Sequence, residues 1–320
     1  MGELRVGTSG WSYPSGKGTW NGVFYPHRRG RRRGFDELAF YAERFDTVEI
    51  NTSFYAPPRP EVSRDWVRRT PPRFEFSLKL YQKFTHPSMF KAARLKDVPG
   101  TPEQLDALAT VNQADIDIFR EAIDPLASSG KLGVLLAQFP PSFKDSAESR
   151  DHLEWLLKTF RDYQIAVELR HRSWSDRLGD TLELLNAFNA AWVQIDEPKF
   201  HFSIRQNQLP NIRGVHYLRL HGRNAAEWWR HRASEDRYNY LYSREELKPI
   251  VENAVAASQI VRKAYLYMNN HFAAKSVANA AMVKDMIGDP IGAGLPPEMI
   301  GAYPELAGIA AKTRGVRRPV

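Results

Sequence analysis

Residues 165–174, IAVELRHRSW, join an apolar run to side chains that could carry out acid–base chemistry. Side chains two residues apart share a face of a strand, so Glu168 and Arg170 are expected to lie together. A carboxylate beside a guanidinium can act as a general base or help to bind an anion. The same pair can equally be a structural ion pair at the end of a buried strand, and the stretch alone leaves both alternatives open.

Functional side chains recur at the ends of the predicted strands. These positions are Trp11, Glu49, Asn51, Lys79, Gln138, Glu168, Arg170, Asp196, Arg219, His221, Asn269 and Asn270. Unpaired polar groups near a barrel interior cost a few kcal/mol each, so solubility does not explain them. We therefore predict a functional pocket. The alternative is a satisfied structural network, to which Gln138 and Asn270 are the first candidates.

The pattern of apolar residues predicts the elements that position these side chains. Strands are expected at residues 4–9, 47–51, 74–80, 132–139, 165–170, 192–196, 215–221 and 264–270, nearly all separated by helices. This order favours an α/β fold, a single-domain (β/α)8 TIM-type barrel, over a doubly wound open sheet. The chain also lacks the GxGxxG and GxxxxGK[ST] phosphate-binding motifs.

Three connections depart from a regular barrel. Residues 81–100 are predicted to be irregular, and one long helix, broken or unbroken, is expected from Pro102 to about Ser128. Residues 197–213, between the sixth and seventh strands, show no helical pattern, and a long insertion follows the seventh strand. The barrel domain is assigned to residues 1–288, with a C-terminal extension, 289–320, that packs on the barrel or trails from it.

The composition restricts the class of protein. Hydrophobic residues make up 42% and charged residues 26% of 320, as in globular proteins, and no apolar run approaches the ~20 residues of a membrane span. The first residues lack the apolar core of a signal peptide, so a cytoplasmic protein is expected. The absence of cysteine excludes disulfides, thiolate nucleophiles and cysteine-based metal sites.

The net charge of +8 favours anionic partners, and much of it is local. Five arginines lie between Arg28 and Arg33, and four basic residues lie between Lys312 and Arg318. From Arg223 to Tyr242, arginines alternate with aromatic residues, a mixture on which single-stranded nucleic acid can stack. Nucleic-acid binding is one interpretation. The basic runs can instead be solvated loops or tails. The segment from Arg223 to Tyr242 can be a lid over the seventh strand, and this is the interpretation that we prefer.

Several motifs, taken in order, resemble one protein family. GTSGWSY, FDTVEINTSFY, LAQFPPSF, VELRHRSW, YLRLHGR and YMNN are similar to the YecE-like proteins, domain of unknown function 72, over residues 4–281. The resemblance implies a TIM-type barrel and leaves the activity open. The positions that match it are Trp11, Glu49, Asn51, Tyr55, Lys79, His86, Gln138, Glu168, Arg170, Trp174, Asp196, Arg219, His221 and Asn269.

The first functional hypothesis is a metal-independent enzyme acting on a small anionic or sugar-like substrate, including phosphorylated ones. Glu168 or Glu49 would be the general acid or base, with a pKa tuned by nearby cations. The predicted catalytic set is Glu168, Glu49, His221, Asp196 and Lys79. The predicted substrate-binding set is Trp11, Asn51, Tyr55, Arg170, Trp174, Arg219 and Asn269.

The second hypothesis is a Zn- or Mn-dependent isomerase or hydrolase with Glu168, Asp196 and His221 as ligands. Against it, the eighth strand supplies Asn269 where a further carboxylate would be expected, and the nearby arginines favour an anionic ligand. His86 and His271 are predicted to be surface residues rather than catalysts. A serine nucleophile is not expected, because the chain has no GxSxG motif.

Overall fold

The computed structural model describes residues 2–27, 30–228, 235–289 and 291–309. Over these residues, nine parallel strands form one sheet. They are β1 (Glu3–Ser9), β2 (Thr47–Ile50), β3 (Glu75–Lys79), β4 (Leu132–Gln138), β5 (Ile165–Glu168), β6 (Ala191–Trp192), β7 (Gln194–Asp196), β8 (Val215–Leu220) and β9 (Lys263–Met268). The strand order is β6-β5-β4-β3-β2-β1-β9-β8-β7.

The two ends of this order meet at Val193, which separates β6 from β7. β6 pairs with β5 and β7 pairs with β8, so the two short strands occupy one position and the sheet forms a nearly closed barrel. The side chain of Gln206 bonds to the backbone at the break, donating to Val193 O at 2.6 Å and accepting from Ile195 N at 3.1 Å. The predicted TIM-type barrel is confirmed, while its sixth strand, expected to be continuous, is divided.

Helices cover the outside of the barrel. Those in the described residues are α1 (Glu37–Ala42), α2 (Pro60–Arg68), α3 (Gln82–Thr85), α4 (Pro87–Arg94), α5 (Pro102–Ala109), α6 (Gln113–Ser128), α7 (Ala147–Thr159), α8 (Ser173–Asp176), α9 (Leu178–Ala187), α10 (Arg244–Ser258), α11 (Lys275–Met286) and α12 (Pro297–Ala302). Short 3₁₀ turns lie at Thr52–Phe54, Asp236–Tyr238, Phe272–Ala274 and Pro304–Leu306.

Three predictions about the connections meet different outcomes. Residues 81–100 are predicted to be irregular, but most of them form α3 and α4, with Pro87 in the first turn of α4, where a missing N–H is tolerated. The helical region from Pro102 to Ser128 is divided, and Thr101 and Asn112 each begin a helix with a capping box. The described structure contains no helix within residues 197–213, as predicted.

The barrel interior is filled by hydrogen-bonded polar layers. At the amino-terminal end, Glu75 accepts hydrogen bonds from Lys263 and from Tyr265 Oη, the latter at 2.6 Å. In the middle, Tyr267 Oη lies 2.6 Å from Thr47 Oγ1. Because strand side chains alternate, the apolar neighbours of these residues point outward and pack under the helices. Polar atoms near the carboxyl end are therefore the third layer of one continuous interior.

The described C-terminal residues pack on the same core. Ile291, Met299 and Leu306 are buried, and Arg44 Nε donates to Gly294 O at 2.8 Å. Residues 310–320 lie outside the described chain, so the boundary drawn at residue 288 stays a prediction. Among the helices that the structure describes, none is both long enough and apolar enough to span a membrane.

Candidate active site

Arg219 is the centre of the polar layer at the carboxyl end of the barrel. Its Nε and Nη2 atoms donate to the two carboxylate oxygens of Glu49, at 2.9 and 2.7 Å. Glu49 also accepts from Ser9 Oγ and Tyr217 Oη, each at 2.7 Å. With four donors around it and no exposed surface, the Glu49 carboxylate is fully hydrogen-bonded, which favours a structural role, and its role as a general acid or base stays a prediction.

Glu168 takes the remaining donor group of Arg219. Arg219 Nη1 donates to Glu168 Oε2 at 2.5 Å and to Gln138 Oε1 at 3.0 Å, and Arg170 Nε donates to Glu168 Oε1 at 2.7 Å. Burial by itself raises the pKa of Glu168, but the charges of Arg219 and Arg170 outweigh it and hold that pKa well below its usual range. Glu168 is thus a carboxylate that stays ionised and orients Arg170.

His221 lies beside this pair as a neutral imidazole. Its Nδ1 is 2.8 Å from Asn269 Nδ2, and its Nε2 is 3.3 Å from Arg170 Nη2 and 3.8 Å from Glu168 Oε1. Burial, together with Arg170, lowers the pKa of His221 to about 3. A neutral imidazole donates at one nitrogen and accepts at the other, so His221 links Asn269 to the charged groups without adding a charge.

Lys79 reaches the pocket from the end of β3, and its side chain is partly exposed. Its Nζ lies 3.8 Å from the centroid of the Phe54 ring, and it has no hydrogen-bond partner among the described residues. Burial, followed by the charge of Arg219, lowers the pKa of Lys79 to about 7, against the opposing effect of Glu168. A pKa near 7 makes Lys79 a candidate for proton exchange near neutral pH.

His86 also faces this pocket, which corrects its assignment as a surface histidine. Its ring stands edge-on to Phe54 with the centroids 5.0 Å apart, on the ring that Lys79 contacts. Burial and the charge of Lys79 lower the pKa of His86 to about 3. Sequence patterns alone do not pair these two residues, because they predict an irregular segment in place of α3.

A second wall of the pocket is aromatic. Tyr13 stacks on His271 at 4.3 Å between ring centroids, and His271 lies 4.8 Å from Tyr238. Trp228 continues the wall, 6.4 Å from both Tyr238 and the His221 ring. This wall joins the loop after β1, the loop after β9 and the insertion after β8. β8 is the seventh strand of the predicted barrel, so this contact agrees with the interpretation of the insertion as a lid over that strand. His271 is part of the wall, not a lone surface residue.

Glu197 is a site residue that the sequence reasoning missed. Its Oε2 lies 3.4 Å from Arg170 Nη1, and burial raises the pKa of Glu197 despite the opposing charge of Arg170. A signal was present: Glu197 directly follows Asp196 in the motif DEP, at the end of a predicted strand. It was passed over because it was assigned to the start of the irregular connection.

Asp196 is engaged elsewhere. It receives both Nε and Nη2 of Arg223, at 2.9 and 2.8 Å, and Tyr242 Oη at 2.7 Å, so it anchors the insertion after β8. Its predicted catalytic role is not supported by these contacts. The contacts also give no support to the metal hypothesis. In the described chain, no three His, Asp or Glu side chains are arranged to hold a metal ion, and this includes Glu168, Asp196 and His221.

Two of the predicted aromatic walls pack into the protein instead. Trp174 is fully buried, stacks on Phe143 at 5.5 Å and donates its indole N–H to Phe143 O at 2.9 Å. Trp11 packs edge-on against Trp66 at 5.6 Å, on the helix side of the sheet. An indole that turns outward from a strand end meets the covering helices, and a substrate-binding role for either tryptophan stays a prediction.

Two other predicted substrate-binding residues do lie at the mouth. Tyr55 is 55% exposed, and burial of its remainder, followed by the nearby Tyr238, raises its pKa. Asn51 Oδ1 is buried and has no hydrogen-bond partner among the described residues. A buried amide oxygen without a donor costs about 1–3 kcal/mol, so Asn51 is suited to bind a hydroxyl or N–H group of a ligand.

The predicted nucleic-acid segments are only partly described. Arg28, Arg29 and residues 229–234 lie outside the described residues. Arg31 Nη1 donates to Glu37 Oε1 at 2.8 Å, and Arg223 is held by Asp196. Arg32 and Arg33 are exposed. Nucleic-acid binding through these segments stays a prediction.

Two cavities lie outside the barrel mouth. One of about 350 Å³ lies beneath the irregular segment, against Lys199, Ile204 and the outward-facing Leu218. Another of about 500 Å³ is lined by Lys83, Lys91 and other residues. Neither includes a member of the Arg219 network. The barrel mouth stays the predicted site because the charged side chains of that network converge there.

The family model described as "Protein of unknown function DUF72" matches residues 5–299. Among proteins of known sequence, "UPF0759 protein YunF" of Bacillus subtilis (strain 168) is 25% identical over 318 residues, which cover 94% of this chain and 100% of that protein. A solved DUF72 family protein from Thermotoga maritima MSB8 is 32% identical, with a TM-score of 0.72 over 89% of this chain and 99% of that one. Another, from Enterococcus faecalis V583, is 24% identical, with a TM-score of 0.70 over 89% and 95%.

Proposed function

The chain belongs to the DUF72 family of proteins of unknown function, and from that premise we propose that its barrel mouth is the active site of an enzyme. The reaction is metal-independent acid–base chemistry on a small anionic or sugar-like substrate, including phosphorylated ones. The observation that carries the proposal is Lys79, an amine without a hydrogen-bond partner in the described chain, placed beside fixed charges at the carboxyl end of the barrel.

The proton-transfer group is Lys79 and not a glutamate. Glu49 is saturated by four donors, and Glu168 has a pKa too low to take a proton near neutral pH. With its pKa near 7, Lys79 is available both as an amine and as an ammonium, which is the condition for effective proton transfer. His221 and Glu168 then serve by holding Arg170 in place.

The charges in the pocket support a polar substrate of low charge. The ionisable groups of the pocket are the cations Lys79, Arg170 and Arg219 and the anions Glu49, Glu168 and Glu197. Their charges cancel when all are ionised. A sugar or a singly charged sugar acid matches this better than a polyanion, and Asn51 Oδ1 and the Tyr55 hydroxyl are suited to sugar hydroxyls.

Binding of simple probes tests the proposal. Calorimetry with inorganic phosphate, D-ribose and D-ribose 5-phosphate should detect binding of at least one compound. Arg170→Met should weaken it about tenfold or more, because hydrogen bonds to charged groups contribute about 1.5–3 kcal/mol. Arg172→Met is the matched control, since Arg172 pairs with Asp176 at 2.9 Å on the surface and should leave binding unchanged. Equal effects of the two changes, or no binding of any probe, contradict the proposal.

The chemistry has its own test. Exchange of carbon-bound hydrogen for deuterium in D₂O, followed by NMR on D-ribose 5-phosphate and related aldoses and ketoses, reports proton transfer without knowledge of the product. Lys79→Met should abolish any exchange that the wild type catalyses. Exchange that survives this change would assign the proton transfer to another residue.

A further inference from the structure

Lys79 has the surroundings of a nucleophile as well as those of a base. We propose that its amine forms a covalent imine with the carbonyl carbon of an aldehyde or ketone substrate. This inference rests on the proposed function and names its substrate class: carbonyl compounds of sugar-like size, either neutral or carrying a single charged group.

The geometry around the partly exposed Lys79 differs from that of the buried lysines Lys83 and Lys131. Lys83 Nζ is paired with Asp115 at 2.7 Å, and Lys131 Nζ donates to Val67 O and Thr70 O, each at 2.8 Å. Lys79 Nζ instead lies over the face of Phe54 without an acceptor in the described structure. Its nitrogen is therefore not held by a carboxylate or carbonyl, and its side chain is open to the pocket.

Burial, followed by the charge of Arg219, keeps a large share of this amine neutral. A lysine with a pKa of about 7 is about half neutral at pH 7, whereas one with the ordinary value of 10.5 is neutral in about one molecule in 3,000. Arg219 and Arg170 disfavour the ammonium, while Glu168 and Glu49 favour it. Lysines beside other cations in desolvated sites are the ones that react with carbonyl groups.

The step conserves atoms and charge. The Nζ lone pair attacks the carbonyl carbon and forms a C–N bond, while the C=O π electrons move to oxygen, which takes up a proton. The nitrogen then loses a proton, and the hydroxyl group leaves with another as water as the C=N bond forms. Solvent reaches the partly exposed Lys79 and can supply and receive these protons, and the neutral His86 imidazole lies against the same Phe54 ring.

A protonated imine also explains why the pocket pairs an amine with fixed carboxylates. The cation formed at Nζ lies over the Phe54 ring and within the field of Glu168. It withdraws electrons from the adjacent carbon and makes its hydrogen acidic. Covalent attachment by Lys79 thus activates that C–H bond, and water takes the proton because the iminium nitrogen has no free lone pair.

Reductive trapping tests the inference on the full-length protein. Pyridoxal 5′-phosphate, which carries an aldehyde and a phosphate, and dihydroxyacetone phosphate, a ketone, are each mixed with the protein near pH 7.5, reduced with borohydride and located by peptide mass mapping. We expect Lys79 to be modified at least tenfold faster than the median lysine. Lys79→Arg should remove that adduct. Lys83→Arg is the control, because Lys83 lies four residues away and is paired with Asp115, and this change should leave the Lys79 adduct in place.

The outcomes separate this inference from the proposed function. If neither compound modifies Lys79 faster than surface lysines, the imine is refuted, whatever the sugar and phosphate probes show. If those probes bind with the expected dependence on Arg170 and no adduct forms, the pocket remains an acid–base site without covalent catalysis. If Lys79 is trapped while the Arg170→Met protein binds as the wild type does, the imine stands and the arginine's role in binding is refuted.

Discussion

Replacing Glu49 and Glu168, which are both fully buried, one at a time distinguishes a structural carboxylate from one that orients the pocket. Glu168→Gln keeps an acceptor for Arg219 but turns an amide NH₂ toward Arg170, so two donors face each other. Glu49→Gln disturbs a carboxylate that accepts from Ser9, Tyr217 and twice from Arg219. Both changes preserve side-chain volume, so the difference between them reports charge and hydrogen bonding.

The structure sets the size and order of the two effects. Removing one partner of a buried ion pair costs about 3–5 kcal/mol. In Glu168→Gln, Arg219 still has both oxygens of Glu49, so the loss should be near the lower end, about 3 kcal/mol. In Glu49→Gln, one oxygen that accepts hydrogen bonds becomes an NH₂ group among four donors, so the free energy of unfolding should fall by about 5 kcal/mol. Glu168→Gln should also lower the pKa of Lys79 below about 7, because Glu168 is a group that raises it.

Urea unfolding followed by tryptophan fluorescence measures both losses at pH 7, with Glu154→Gln as the control. Glu154 pairs with Lys158 on the surface of α7, and its loss should cost less than about 1 kcal/mol. The lowered pKa of Glu168 stabilises the fold above the unfolded value near 4.5, and this contribution disappears as the pH falls through the folded pKa. The Glu168→Gln defect should therefore shrink toward low pH. A loss larger than that of Glu49→Gln, or one that does not vary with pH, would refute this account.

Three further predictions follow from the same contacts. Lys79→Met should be more stable than the wild type by about 1–3 kcal/mol at pH 6 in urea unfolding, because the desolvated ammonium of Lys79 is costly. Between pH 7 and 10.5 the folded wild type releases this proton before the unfolded chain does, so the wild type gains stability and the difference between the two proteins should disappear. Burial lowers the pKa of His216 to about 4, so the wild type should lose stability as the pH falls from 6.5 to 4, and His216→Phe should lose less over that range in thermal denaturation. Glu235→Ala removes the acceptor for Lys17 N and Gly18 N, at 3.1 and 3.4 Å. Hydrogen exchange at these two amides should become faster, while the free energy of unfolding changes by less than about 1 kcal/mol. Unchanged exchange would mean that the insertion after β8 does not hold the loop after β1.

The alternation of side chains along single strands was enough to predict much of the site. Glu168, Arg219 and Lys79 stand at the carboxyl ends of strands whose apolar neighbours identify the outward face, and their inward direction follows from a period of two. The barrel followed from the order of eight strands and the helices between them. Parallel strands require crossovers, so this order left few alternatives.

Pairing and burial were decided by the tertiary structure alone. Arg219 could have met any carboxylate of the mouth, and only barrel closure brings Glu49 to one side of its guanidinium and Glu168 to the other. Closure itself depends on the break at Val193 and on Gln206, a side chain from a segment without periodicity.

The sequence by itself determined the barrel and which faces of its strands point inward, because both follow from local backbone geometry. Distances between residues far apart in the chain decide which inward groups neutralise one another. They also decide which amine is left without a partner in the described structure. Those distances also set the local electrostatics, so the change from a glutamate to Lys79 as the proton-transfer group could come only from the folded structure.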